Sequence, residues 1–247
     1  MLYTSTRDKS VKVSGASAIV GGLSEEGGLY VPQSIPRLSG QDFKKLLEMD
    51  YCERAAYIMN LYLPEFTFQE LLACAENAYS KFDGDDPAPI VKIDKKLFML
   101  ELWHGPTMAF KDMALTVLPH LLNLSKKKLG VKEKTLILVA TSGDTGKAAL
   151  EGFKDVEGVK ICVFYPSEGV SNMQKLQMIT QEGSNVSVYG VRGNFDDCQN
   201  SVKRAFNDKE LVGILKDRGY AMSSANSINW GRLLPQIVYY ISAYLDM

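Results

Sequence analysis

With 247 residues, 46% of them hydrophobic and 23% charged, the chain is long enough to bury a substantial core and has the composition of an ordinary globular protein. Its 28 basic residues offset 29 acidic ones, and a net charge of −1 argues against a nucleic acid or another polyanion as the principal partner. Four scattered cysteines (Cys52, Cys74, Cys162, Cys198) and two histidines (His104, His120) show no metal-ligand spacing, so no metal site is expected and the thiols are expected to stay reduced.

The opening MLYTSTRDKS lacks the basic and then apolar pattern of a secretory signal. No apolar run reaches the length of a membrane span, so a cytoplasmic protein with no membrane partner is expected. Residues 1–35 read as a strand, a glycine turn and a second short strand. From Gln41 to Lys81 the period becomes helical, with Phe43, Leu46 and Leu47 on one stripe and Leu71, Leu72, Ala75 and Tyr79 on another. Asp42 starts one helix, Thr67 and Glu70 form a capping box for another, and Pro64 separates them. The acidic DGDDPAP at Asp83–Pro89 reads as a linker, which divides the chain into 1–88, mainly helical, and 89–247.

After the linker, Ile90–Ile93 and Leu97–Leu102 predict a hairpin. A strand-to-helix rhythm follows: strands at 135–140, 160–165, 185–189 and 220–224, with helices after them and a final apolar helix over Trp230–Leu245. The fold class expected is therefore α/β: a helical N-terminal region, then a three-layer domain on a mostly parallel sheet.

Three loops carry the chemistry. In ELWHGPTMAFKDMA (101–114), Gly105 and Pro106 make a turn and Thr107 is expected to cap a helix starting near Met108, which runs towards Ser125 with a kink at Pro119. That places Lys111 in the first turn, where the positive helix end and the apolar Phe110 and Met113 disfavour an ammonium. A lysine so placed is suited to Schiff-base chemistry with a carbonyl or with pyridoxal phosphate, although on position alone most lysines are solvated surface charges. The second loop, TSGDTGKAAL (141–150), ends a parallel strand and opens a helix, a natural anion site through its backbone N–H groups. It is no Walker loop: two residues, not four, separate Gly143 from Gly146, and Ala148 follows Lys147. The third, SSANSINWGR (223–232), offers Asn226, Ser227, Asn229 and Arg232 as donors at the end of a strand.

Taken together and in this order, HGPTMAFKDMA, TSGDTGKAAL and SSANSINWGRLLPQ resemble threonine synthase of the pyridoxal-phosphate fold type II, and the resemblance extends to Tyr3–Arg7 and Gly27–Pro32 at the start of the chain. It implies that residues 1–88 are the family's N-terminal domain and 89–247 its small cofactor domain. It also implies pyridoxal 5'-phosphate held by Lys111. Ser142, Gly143, Asp144 and Thr145 would contact the substrate carboxylate, with Asp144 also near the cofactor. Asn226, Ser227, Asn229 and Arg232 would be further substrate contacts. The implied reaction is a carbon–oxygen lyase reaction on a phosphate, the conversion of O-phospho-L-homoserine and water to L-threonine and phosphate. A related phospho-lyase and a non-catalytic binding module are the alternatives. One departure stands out: the family's glycine-rich phosphate loop and its pyridine-nitrogen partner lie beyond the position of Met247, so the chain looks like the enzyme's first half. By itself it is expected to be inactive, and to self-associate through an uncovered face along Trp230–Leu245.

Overall fold

The computed structural model describes residues 1–247. Strand β1 (Tyr3–Ser5) pairs antiparallel with β2 (Tyr30–Pro32), and between them lies a helix, α1 (Gly15–Gly21), where the sequence predicted only a turn. Its 7 residues are too few to display a helical period, but Ser14 caps it by accepting from the Ser17 N–H. Helices α2 (Gly40–Leu47), α3 (Tyr51–Tyr62) and α4 (Phe68–Tyr79) follow. Each opens on a capping box, at Ser39/Asp42, Asp50/Glu53 and Thr67/Glu70. Asp42 is thus the third helical residue of its box and not the cap itself.

Strands β3 (Ile90–Asp94) and β4 (Leu97–Leu100) form the expected hairpin, with a bulge between Lys92 and Asp94. The helix expected from Met108 does not begin there. Met108 has φ +56°, and α5 spans only Asp112–Leu115; α6 (Leu118–Leu129) then starts afresh, with Pro119 in its first turn. Thr107 caps nothing: its N–H and hydroxyl both go to the Asp112 carboxylate, closing 107–112 into a loop and delaying the helix. Pro119, which has no N–H to give, is tolerated in a first turn and so begins a helix instead of kinking one.

The remaining chain builds a four-stranded sheet in the order β7-β6-β5-β8, every pair parallel: β5 (Lys134–Ala140), β6 (Val159–Pro166), β7 (Val186–Val191) and β8 (Tyr220–Ser223). Helices α7 (Asp144–Phe153), α8 (Asn172–Ile179), α9 (Phe195–Asn207), α10 (Lys209–Asp217) and α11 (Trp230–Asp246) complete it, an α/β architecture with a parallel sheet. Strand β5 is followed by β6 on one side, and the chain later returns to place β8 on the other. The carboxyl end of β5 therefore lies at a switch in strand order, where open α/β sheets receive ligands.

One core of 42 buried apolar residues runs from Tyr3 through Leu71 and Ile137 to Tyr239, so the helical region and the sheet share it. Buried polar ties reinforce the join. Arg54 on α3 donates to Leu46 O, Ser242 Oγ and the Asp246 carboxylate, and the Tyr79 hydroxyl donates to Met113 O. Helix α11 is only in part the uncovered stripe expected of it: Trp230, Leu234, Val238 and Tyr239 are buried, with Trp230 packed on Tyr3 and Tyr62, while Tyr240 and Tyr244 are exposed. Further exposed apolar surface lies on the hairpin and the loop after it, at Leu97, Phe98, Met99, Trp103, Met108 and Phe110.

Candidate active site

Lys111 stands at the N-terminal end of α5, delivered by the 105–110 turn. Asp112 builds that turn. It has no exposed surface and accepts from Thr107 N at 2.8 Å and Thr107 Oγ1 at 2.6 Å. Burial pushes its carboxyl above the usual range, while the Thr107 bonds pull it back. Gly105 is required beside it, because a Cβ there would sit 2.5 Å from that of Asp112. So fixed, the Lys111 ammonium lies 4.4 Å from the Phe110 ring centroid and 3.6 Å from Asp144 Oδ2. Both residues line a cavity of about 630 Å³ whose walls include Leu100, Leu102, Trp103 and Met173.

Asp144 opens α7 directly after the end of β5, and its loop is tied together by a residue the sequence reading passed over. Thr141 is buried; its Oγ1 accepts from the N–H groups of Gly143 (3.0 Å) and Gly146 (2.9 Å) and donates to Gly143 O. This leaves Ser142 exposed, Gly143 buried at φ +150° and Thr145 half-buried. None of those three lines the Lys111 cavity. Gln174 does, and it too was missed: its Nε2 donates to Asp144 Oδ1 at 2.8 Å. The only sequence signal for it is Ser171-x-x-Gln174, a capping box that by itself predicts a helix start and nothing more.

The third block is assembled differently from its expectation. Asn226 lines a second cavity, about 420 Å³, together with Arg7, Leu29, Ala140, Lys203 and Phe206, and its buried Oδ1 has no partner. Ser227 is exposed and lines neither cavity. Asn229 and Arg232 are buried beneath the loop. The Asn229 amide donates to Ile19 O and Ser224 O and its Oδ1 caps α11 at Gly231 N, while the Arg232 guanidinium donates to Ala225 O. Burial draws the Arg232 pKa down to about 10. The structure thus brings Lys111 and Asp144 together, gives Asn226 a separate cavity, and uses Asn229 and Arg232 to brace the loop that carries it.

The family description "Threonine synthase N terminus" matches residues 2–79, and "Pyridoxal-phosphate dependent enzyme" matches residues 83–244. The chain is 39% identical to the threonine synthase of Pseudomonas aeruginosa over its whole length, covering 51% of that protein. It is 40% identical over 94% of its length to the human protein "Threonine synthase-like 1", covering 32% of it. Among solved structures it is similar to the pyridoxal-phosphate-bound threonine synthase from Brucella melitensis, with a TM-score of 0.88 and 38% identity over 99% of this chain and 52% of that one. The chain therefore spans about half the length of the threonine synthases it matches.

Proposed function

We propose, from the premise that this chain belongs to the pyridoxal-phosphate-dependent enzyme family and matches the N-terminal half of threonine synthases, that it carries the lysine half of a threonine synthase site. The reaction is the conversion of O-phospho-L-homoserine and water to L-threonine and phosphate. The observation that carries the reading is the Lys111 amine, 3.6 Å from the Asp144 carboxylate beside a cavity of about 630 Å³.

A primary amine between one carboxylate and one aromatic ring, opening on apolar walls, fits a pyridoxal group. When bound, that cofactor supplies an electron sink for negative charge developing on the substrate carbons. Lys111 would hold it through the amine and, once released, carry protons at the substrate's α and β carbons. Asp144, 3.6 Å away, would hold the freed amine in place. The backbone N–H groups at the start of α7 that Thr141 leaves free, with Ser142 and Thr145, would take the substrate carboxylate. Asn226 and Ser227 would form a second contact group, held by Asn229 and Arg232 from below.

The same reading divides the chain into two parts at residue 88; the two family descriptions meet a little earlier, between residues 79 and 83. It also carries a cytoplasmic location, consistent with four unpaired cysteines and with no helix long and apolar enough to cross a membrane. The test is borohydride reduction after incubation with pyridoxal phosphate, followed by peptide mapping. The label is expected on Lys111; finding it on Lys147 or another lysine would overturn the assignment. A related phospho-lyase, which eliminates phosphate without adding water, is the second reading of the same Lys111 site. Product analysis with a complete enzyme containing this half, threonine against a 2-oxo acid, separates the two.

A further inference from the structure

Resting on the assignment of Lys111 as the cofactor lysine, we propose that Gln174 is a positioning residue of this site, fixing the Asp144 carboxylate so that one of its oxygens faces the Lys111 amine.

The two ends of the Gln174 amide do different work. Its Oε1 accepts from Ser171 N at 3.3 Å and Ser171 Oγ at 3.1 Å, which is the ordinary capping box of α8. That box needs only the amide oxygen. Because the Ser171 N–H must meet an acceptor, the NH₂ end is turned the other way, and there it donates to Asp144 Oδ1 at 2.8 Å. Asp144 is otherwise poorly held. Its side chain is 49% exposed and sits on the first residue of α7, where it is free to swing into water. With Oδ1 engaged by Gln174, Oδ2 is left 3.6 Å from Lys111 Nζ.

The backbone makes room for this bridge. A Cβ on Gly143 would lie 2.3 Å from Gln174 Nε2, and Gly143 adopts φ +150°, so both space and conformation call for glycine. The loop itself does not depend on Gln174, since Thr141 fastens it through Gly143 and Gly146. Loss of the Gln174 amide therefore releases the Asp144 side chain without unmaking the loop. The chemical consequence falls on the lysine. A freed amine that must take up and hand on protons is held as an oriented ammonium by a carboxylate that cannot wander. Helix α8 thereby reaches the lysine through a single side chain.

The test reads the lysine directly and needs no bound cofactor. The chain is trace-labelled with acetic anhydride at fixed pH, and acetylation of Lys111 is measured by mass spectrometry against the exposed Lys95 in the same sample. Only the neutral amine reacts, so loosening the ion pair raises the signal. Gln174→Met is expected to raise Lys111 labelling about twofold, the scale of a partly exposed ion pair. Asp144→Asn is expected to raise it at least as much, and Gln174→Met added to Asp144→Asn is expected to change nothing further. Ser171→Ala, which breaks the α8 cap without touching Asp144, should leave Lys111 as in the parent. Unchanged labelling in Gln174→Met, an equal rise in Ser171→Ala, or the same rise in the Asp144→Asn background would each overturn the proposal. A borohydride label away from Lys111 would instead remove the functional reading, an outcome these ratios do not imitate.

Discussion

Asp112 has no exposed surface, and the two donors it satisfies, the N–H and hydroxyl of Thr107, belong to the turn that delivers Lys111 to its cavity. Removing the carboxylate leaves those donors without their acceptor and opens a void against Gly105, whose missing Cβ is what lets Asp112 fit. Asp112→Ala is therefore expected to lower stability by about 1–3 kcal/mol, the cost of losing charge-assisted bonds to a buried group. Urea unfolding of the two chains measures this, and a difference below about 0.5 kcal/mol would mean that the loop is held some other way. Thr141 illustrates the same scale. It precedes a recognisable anion-type loop, yet its buried hydroxyl is what ties the loop together. Nothing in a one-dimensional motif separates a threonine that faces a ligand from one that faces its own backbone, and the reading accordingly favoured the exposed Ser142.

Helices announce themselves locally, through caps and periods. Thr67 and Glu70 start α4 as their spacing predicts, because a capping box is complete within four residues and needs nothing from the rest of the chain. The contacts between helices are less legible. Asp42 belongs to the α2 box, yet the largest influence on it is the hydroxyl of Tyr57 on α3, which with Ser39 draws its carboxyl down to about 2. A folded value below the unfolded one, about 3.9, means that this group adds stability above the unfolded value and that the addition is lost as pH falls towards 2. Tyr57→Phe is expected to make the acid limb between about pH 4 and pH 2 shallower. Melting temperatures taken across that range on both chains check it; parallel curves would show that the bond does not act on stability. The α5 boundary failed for the converse reason. Thr107 has the residue type of a cap, but Asp112 competes for its donors and wins, and the helix starts only at the competitor.

At the scale of the whole molecule, the hairpin leaves an apolar face uncovered, in addition to the exposed Tyr240 and Tyr244 of the last helix. Val91 and Met99 sit opposite each other across β3 and β4, with Leu97 two residues along, and all three are exposed. A two-stranded hairpin with exposed apolar residues is marginal alone and invites company. We propose that this face drives self-association of the isolated chain, and that the chain by itself does not turn over O-phosphohomoserine. Introducing Leu97→Glu with Met99→Glu is expected to shift sedimentation towards monomer, and neither form is expected to release phosphate above background. A parent chain that sediments as a monomer, or one that releases phosphate catalytically, would contradict the respective half of this prediction. Sequence alone determined a great deal: the α/β class, the parallel sheet and most of its strands and helices, because period, caps and glycine turns are properties of short segments. Only the tertiary structure decided that Asp144 meets Lys111 across 33 positions of chain, that Gln174 completes the bridge, and that Asn229 and Arg232 lie buried under the loop. Those meetings depend on which strand ends lie side by side in the order β7-β6-β5-β8 and on how α5, α7 and α8 pack above them, distances that no local spacing records.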